Sequence, residues 1–359
     1  MALRFLLPAV LLLLALGFLA LMVDLRSPSP GSAGPEATAP ASLNPGPDLP
    51  DEDDVRGLYL TARALARLLR EGELEGFLER MARAGLNALV INVKNMHGEV
   101  TYPTEVPLAA QIGARAALLE LRPLVAELRA RGIYTVARQV VFHDPKLAHH
   151  LGNPLGPWVP PSDPRAIEYN LAIAHEVAEL GFDELQFDYL RWPDDGPIGP
   201  GQAHAYTYAY EARYRAIEEF LKLARARLGG KIKLSVDVFG RALWEWNEQR
   251  IDPIGQDLSA LARWVDFISP MVYPSHYEPL RRVQPYRTVK EALESGLRRG
   301  LRLRPFLQAF ALELPPEMSL VDYIRAELRA LGELGLQTYL FWDPDADYEA
   351  LFEVLLERR

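Results

Sequence analysis

The sequence predicts a (β/α)8 barrel, and three observations carry that prediction. From Arg56 onward one unit repeats eight times: a short apolar run rich in β-branched or aromatic residues, a polar loop, then an amphipathic helix. Several helices stop at a glycine just before the next strand (Gly85, Gly132, Gly181 and Gly335), the usual left-handed helix ending. The unit fills residues 55–359, the size of one such barrel. A doubly wound sheet is the rival, but it usually carries a glycine-rich first turn, and here the first strand runs into Thr61-Ala62-Arg63.

In chain order the expected strands are 57–61 (GLYLT), 88–94 (ALVINVK), 134–142 (YTVARQVVF), 184–189 (ELQFDY), 233–239 (KLSVDVF), 266–273 (DFISPMVY), 304–310 (RPFLQAF) and 338–342 (TYLFW). Helices are expected between them, among others over 73–84, 116–130, 165–180, 210–228 and 320–334.

Ahead of the body, residues 5–23 (FLLPAVLLLLALGFLALMV) are apolar throughout, with Arg4 in front. Nineteen residues exceed the usual apolar core of a signal peptide, about 7–15, and approach the roughly 20 of a bilayer span. Residues 1–26 therefore read as a signal anchor, in preference to a signal cleaved near residue 33. The leading positive charge places the body outside the cytoplasm, membrane-anchored, or secreted if the segment is cut. Residues 27–50 hold seven prolines among small residues, so 27–54 reads as an extended linker, with the barrel over 55–359.

Composition narrows the chemistry. Forty-eight acidic against 39 basic residues give a charge of −9, the wrong sign for a general nucleic-acid partner. The absence of cysteine excludes disulfides, thiol nucleophiles and zinc–cysteine sites. No HxH stands on strand 1 and no HExxH occurs, so neither a metal nor another cofactor is expected; His149-His150 reads as a surface loop. The loops after strands 7 and 8 lack the glycines of a phosphate cup, which disfavours phosphorylated substrates.

Barrel active sites lie at the C-terminal ends of the strands, so the polar residues there are the candidates. Asp188 and Asp237 end adjacent strands, where a buried carboxylate costs several kcal/mol unless paired or working. Neighbouring strands are about 4.8 Å apart. Two carboxyls on them can meet the ~5–5.5 Å separation of a retaining glycosidase. Asp188 is the candidate nucleophile and Asp237 the candidate acid/base, with Asp343 as substitute. The structural alternatives are a salt bridge from Asp188 to Arg138 or Arg191, and a plain acceptor role for Asp237. Candidates for binding sugar hydroxyls or developing charge are Tyr59, Lys94, Asn95, His97, Arg138, His143, Arg191, Trp192, Tyr273, His276, Gln308, Trp342 and Asp343. Trp192, Trp244, Trp246 and Trp342 follow strand ends and Trp158 lies in a loop, as expected of indoles that stack on sugar faces.

The stretches RGLYLTA (56–62), NALVINVKNMHGEV (87–100), FDELQFDYLRWP (182–193), LSVDVFG (234–240) and DFISPMVYPSHY (266–277) resemble the bacterial "putative glycosyl hydrolase domain" family, from about Arg56 to Tyr348. That resemblance implies a glycosidase-like TIM barrel and brings no assigned substrate or catalytic pair. More distantly, FDYLRWP and DFISPMVYP are similar to motifs of the α-amylase-type superfamily, where the Asp ending strand 4 is the nucleophile, by position Asp188. There the strand-5 acid is usually Glu, whereas this chain has Asp237. A scheme with Glu on strands 4 and 7 fails on Gln308, and the chitinase DxxDxDxE pattern fails because strand 4 carries a single Asp.

The expected activity is hydrolysis of an extracytoplasmic bacterial polysaccharide or oligosaccharide, with the membrane as a second partner through the N-terminal segment. A non-catalytic glycan-binding barrel and a cell-wall hydrolase of another bond, such as an amidase, remain the alternatives.

Overall fold

A computed structural model describes residues 48–152, 156–193 and 208–357. Eight parallel strands close into a barrel in sequence order: β1 (Arg56–Leu60), β2 (Ala88–Lys94), β3 (Tyr134–Val140), β4 (Glu184–Asp188), β5 (Lys233–Phe239), β6 (Phe267–Met271), β7 (Phe306–Gln308) and β8 (Tyr339–Trp342). Closure is the pairing of Gly57 with Ala88 on one side and Leu340 on the other. Gly57 has no space for a side chain: a Cβ would stand 2.8 Å from the Ala88 carbonyl oxygen. The expected anchor at 5–23 and the linker up to residue 47 lie outside the described residues. Among those described, no helix is long and apolar enough to cross a membrane. The last expected linker residues dock on the barrel, where the Glu52 carboxylate meets Lys233 at 2.7 Å and Arg302 at 2.9 Å.

Strand alternation sorts the side chains. On β4, Leu185 and Phe187 face outward into the large core shared with the helices, while Glu184, Gln186 and Asp188 face inward. On β5, Leu234, Val236 and Val238 face outward, and Ser235 and Asp237 inward. The inner wall combines apolar residues from β1, β2, β3 and β8 (Tyr59, Val90, Val136, Leu340) with these polar ones.

The floor of the barrel is an ion pair. Arg304 donates to Glu184, both side chains fully buried, and Glu184 also accepts from Ser235 Oγ at 2.6 Å and Tyr134 Oη at 3.0 Å. Arg304 further donates to Thr338 Oγ1 and the Glu52 carbonyl, and its guanidinium lies 3.9 Å from the centre of the Phe267 ring. Gln186 bonds Ser269 one layer higher, and Asp188 follows at the top of β4.

The helices form the outer ring, among them Leu74–Arg83, Leu121–Ala130, Pro164–Glu179, Tyr208–Leu228 and Leu320–Glu333. The helix expected over 116–130 begins at Leu121, because Ala117 takes a positive φ of 47° and breaks the first turn. His149 and His150 are at the surface as expected, but they end a short helix, Pro145–His150, capped by Asp144.

Candidate active site

A cavity of about 300 Å³ opens at the C-terminal ends of the strands, and Asp188 and Asp237 both line it. The β4–β5 register, Phe187 beside Val236, sets the two carboxylates side by side. Both are nearly buried, at 5% and 2% exposure.

Their surroundings differ, and the difference divides their chemistry. Asp188 accepts a charge-assisted bond from Arg138 Nη2 and another from its neighbour's backbone N–H, Tyr189, at 2.5 Å. Tyr189 itself adopts φ 51°, a conformation costly for a non-glycine residue and concentrated at functional sites. Asp237 receives only a long 3.8 Å approach from Arg138 Nε, and its Oδ1 has no hydrogen-bond partner among the described residues. Burial, reinforced by the charge of Asp188, raises its pKa well above the ordinary carboxylate value against the pull of Arg138.

Arg138 is itself fixed by Asn92, which accepts from its Nη1 at 3.4 Å and donates to Tyr59 Oη at 3.0 Å. The guanidinium lies 5.3 Å from the centre of the Tyr59 ring. The opposite wall is aromatic: Tyr273 and Trp342 have ring centres 5.3 Å apart, with Phe310 4.9 Å from Trp342. His276 packs on Tyr273 at 5.4 Å, and burial lowers its pKa, leaving a neutral imidazole. Arg191 stacks over Trp158 and Phe239, 4.5 Å from the centre of each ring.

Of the residues expected at the site, Tyr59, Arg138, Asp188, Arg191, Asp237, Tyr273, His276 and Trp342 line the cavity. The others stand elsewhere. Lys94 is the sharpest correction. A bulge in β2 shifts the register after Asn92, so that Lys94 pairs with Gln139 and turns out of the barrel. It is fully buried in an ion pair with Asp144 at 2.8 Å and donates to the Val140 carbonyl. Gln308 is consumed by structure, donating to the carbonyls of Phe310 and Leu312 and accepting from Ser275 N–H and Tyr323 Oη. Asp343 accepts from the N–H groups of Asp345 and Asp347 in a turn and does not line the cavity.

Asn95 organises its own loop through Glu99 and the His97 N–H, and His97 is exposed. His143 sits behind the wall, bonded to the Met96 carbonyl and packed on Trp158 and Tyr189. Trp192 donates to the Arg213 carbonyl at 3.3 Å and packs beneath that arginine.

Sequence reasoning missed Tyr189, Phe239, Gly240, Arg241, Met271, Tyr277 and Phe306 as lining residues. Phe239 shares the parity of Ser235 and Asp237 and could have been found. Tyr189 could not, since alternation points it outward and only its left-handed φ brings it to the cavity.

Among solved structures the chain is similar to the glycoside hydrolase domain of PgaB (BpsB) from Bordetella bronchiseptica. The identity is 17% over 84% of this chain and 98% of that one, with a TM-score of 0.60. It is also similar to an endo-1,4-β-D-mannanase from Thermotoga petrophila, at 14% identity over 85% and 99% of the two chains and a TM-score of 0.56. The Bacillus cereus spore cortex-lytic enzyme SleL follows at 12% identity over 84% and 73%, with a TM-score of 0.51. Likeness at such identities establishes the shared barrel. No curated protein matches the sequence. A sequence family matches over residues 57–348, which takes in β2 to β8 and all of β1 but Arg56. The chain belongs to the family described as "Putative glycosyl hydrolase domain".

Proposed function

We propose that this protein is an extracytoplasmic glycoside hydrolase acting on a bacterial envelope polysaccharide or exopolysaccharide by a two-carboxylate mechanism. The observation that carries the proposal is the unequal pair. One cavity holds an Asp supplied with a guanidinium and a backbone N–H, next to an Asp that has one oxygen without a partner and whose pKa burial raises. A carboxylate placed to attack, beside a buried carboxyl whose raised pKa suits it to donate a proton, is what glycoside cleavage by two carboxylates needs.

In the first step an Asp188 oxygen attacks the anomeric carbon as its bond to the leaving oxygen breaks. Asp237 gives its proton to that oxygen, and Arg138 loses part of its charge partner as the Asp188 carboxylate becomes an ester. In the second step water attacks the same carbon, Asp237 takes the water's proton, and Asp188 is released as carboxylate. Both residues return to their starting states. Tyr273 and Trp342 offer ring faces for sugar C–H groups, and Tyr59, Arg138 and neutral His276 offer polar atoms for hydroxyls.

The setting rests on the apolar N-terminal run and the proline-rich stretch after it. The test is release of new reducing ends from a panel of exopolysaccharides, mannan and peptidoglycan by wild type and by Asp188→Asn. Release by wild type alone supports the proposal. Equal release by both removes Asp188 from the mechanism. Binding by both with no release favours a glycan-binding barrel.

A further inference from the structure

Beside the cavity lies a second groove, of about 570 Å³, which the carboxylate pair does not reach. One wall is the loop after β5, folded into two 3-10 turns, Gly240–Leu243 and Glu245–Gln249. The other comes from the segment after β6, including the short helix Pro279–Arg282. Arg241 and Tyr277 line both spaces. The boundary is closely packed: at Gly240 an added Cβ would fall 2.1 Å from Tyr277 Oη and 2.7 Å from the Met271 carbonyl oxygen.

Two indoles line the groove, Trp244 and Trp246, both half-buried. Trp244 packs on the core and carries the Arg281 guanidinium 4.6 Å from its ring centre, which fixes its plane. The charges around them are balanced within the protein. Arg241 meets Asp252 at 2.9 Å, Arg281 meets Glu278 at 2.8 Å and Glu291 at 2.9 Å, and Arg298 approaches Glu294 at 3.7 Å and Glu245 at 3.9 Å. Such a surface offers aromatic faces among arginines that each have a carboxylate neighbour, so it suits a ligand with apolar faces and hydroxyls better than an anion.

We propose that this groove binds the continuation of the glycan chain: uncharged sugar residues on one side of the scissile bond, crossing Arg241 and Tyr277 and stacking on Trp246 with Trp244 beside it. The inference rests on the glycosidase reading for its ligand class and deepens it. The protein recognises its glycan over several sugar units.

The test measures binding of neutral cello-, manno- and chito-oligosaccharides, from disaccharide to hexasaccharide, by calorimetry to the full-length Asp188→Asn protein, with and without Trp246→Ala. Thermal melting checks folding, and Trp244→Ala provides a second reading if Trp246→Ala does not fold. The expected result is affinity that grows with chain length in at least one series, with the gain cut about five- to tenfold by loss of the indole. Affinity flat with length, growth untouched by both Trp variants, or no binding to any series would overturn the inference. Tighter binding of oligouronates than of the neutral series would overturn the uncharged class. Length-dependent, Trp246-dependent binding without hydrolysis by wild type would uphold the groove and remove the hydrolase reading.

Discussion

Asp237 Oδ2 stands 3.8 Å from Arg138 Nε, close enough for attraction and too far for a hydrogen bond. Asp237 therefore feels the guanidinium without being anchored by it, and burial decides its protonation. Because its pKa is raised, the proton is held through the range where a free carboxyl has lost it. Catalysis that needs this proton fails as pH rises through the folded value. The kcat/KM profile is expected to show an alkaline limb that Asp237→Asn abolishes, along with a loss of about 10²–10⁴-fold on substrates with poor leaving groups. Equal loss on activated aryl glycosides would argue against the acid role.

Asp188→Asn removes the anion that pairs with Arg138 and should abolish turnover. Arg138 keeps Asn92 and the face of Tyr59, so the variant is expected to fold. Circular dichroism and reducing-end release on the same preparation check both halves, and turnover within tenfold of wild type would contradict the assignment.

At the floor, Arg304→Met leaves Glu184 buried without its counter-ion. Breaking a buried pair in this way costs about 3–5 kcal/mol. Denaturant unfolding should register that loss. An unchanged midpoint would show that Ser235 and Tyr134 alone satisfy Glu184.

Lys94→Met separates the two readings of that lysine. Its partner Asp144 would be left buried, so stability should fall by about 3–5 kcal/mol while KM for glycan stays at the wild-type value. A raised KM with unchanged stability would return Lys94 to the binding site.

Glu327, on the helix Leu320–Glu333, is fully buried; one oxygen accepts from the Gln308 N–H and the other has no partner among the described residues. Burial raises its pKa well above the ordinary value. Its contribution to stability is therefore fully present below about pH 4.3, where the unfolded carboxyl is also protonated. It is lost as pH rises toward the folded value. Glu327→Gln should flatten that dependence, so chemical denaturation at pH 4 and pH 7 should show a variant whose advantage over wild type grows with pH.

The barrel was legible because its strands announce themselves by composition: 88–94 and 233–239 are strands over the expected residues. The expected 304–310 shrinks to Phe306–Gln308, since Pro305 has no N–H for a ladder and the Arg304 side chain is turned to the floor. The Asp pair was legible because a carboxylate in an apolar strand needs a reason. Lys94 was not, because one extra residue in β2 inverts the facing of everything after it, and nothing in the local composition signals a bulge. Trp192 and Gln308 stood at the right strand ends but spend their polar atoms on the backbone, which only the tertiary structure decides.

The closure of the barrel also bears on how the chain reaches this state. β1 pairs with both β2 and β8, and Arg304 bonds the Glu52 carbonyl across 252 residues of sequence. During synthesis the first strand emerges with one edge that stays open until 339–342 is available. Contacts of such separation slow folding and leave an unpaired strand edge exposed to other chains. The two ends of the domain are therefore a single folding unit, and a truncation of the last strand acts on the first.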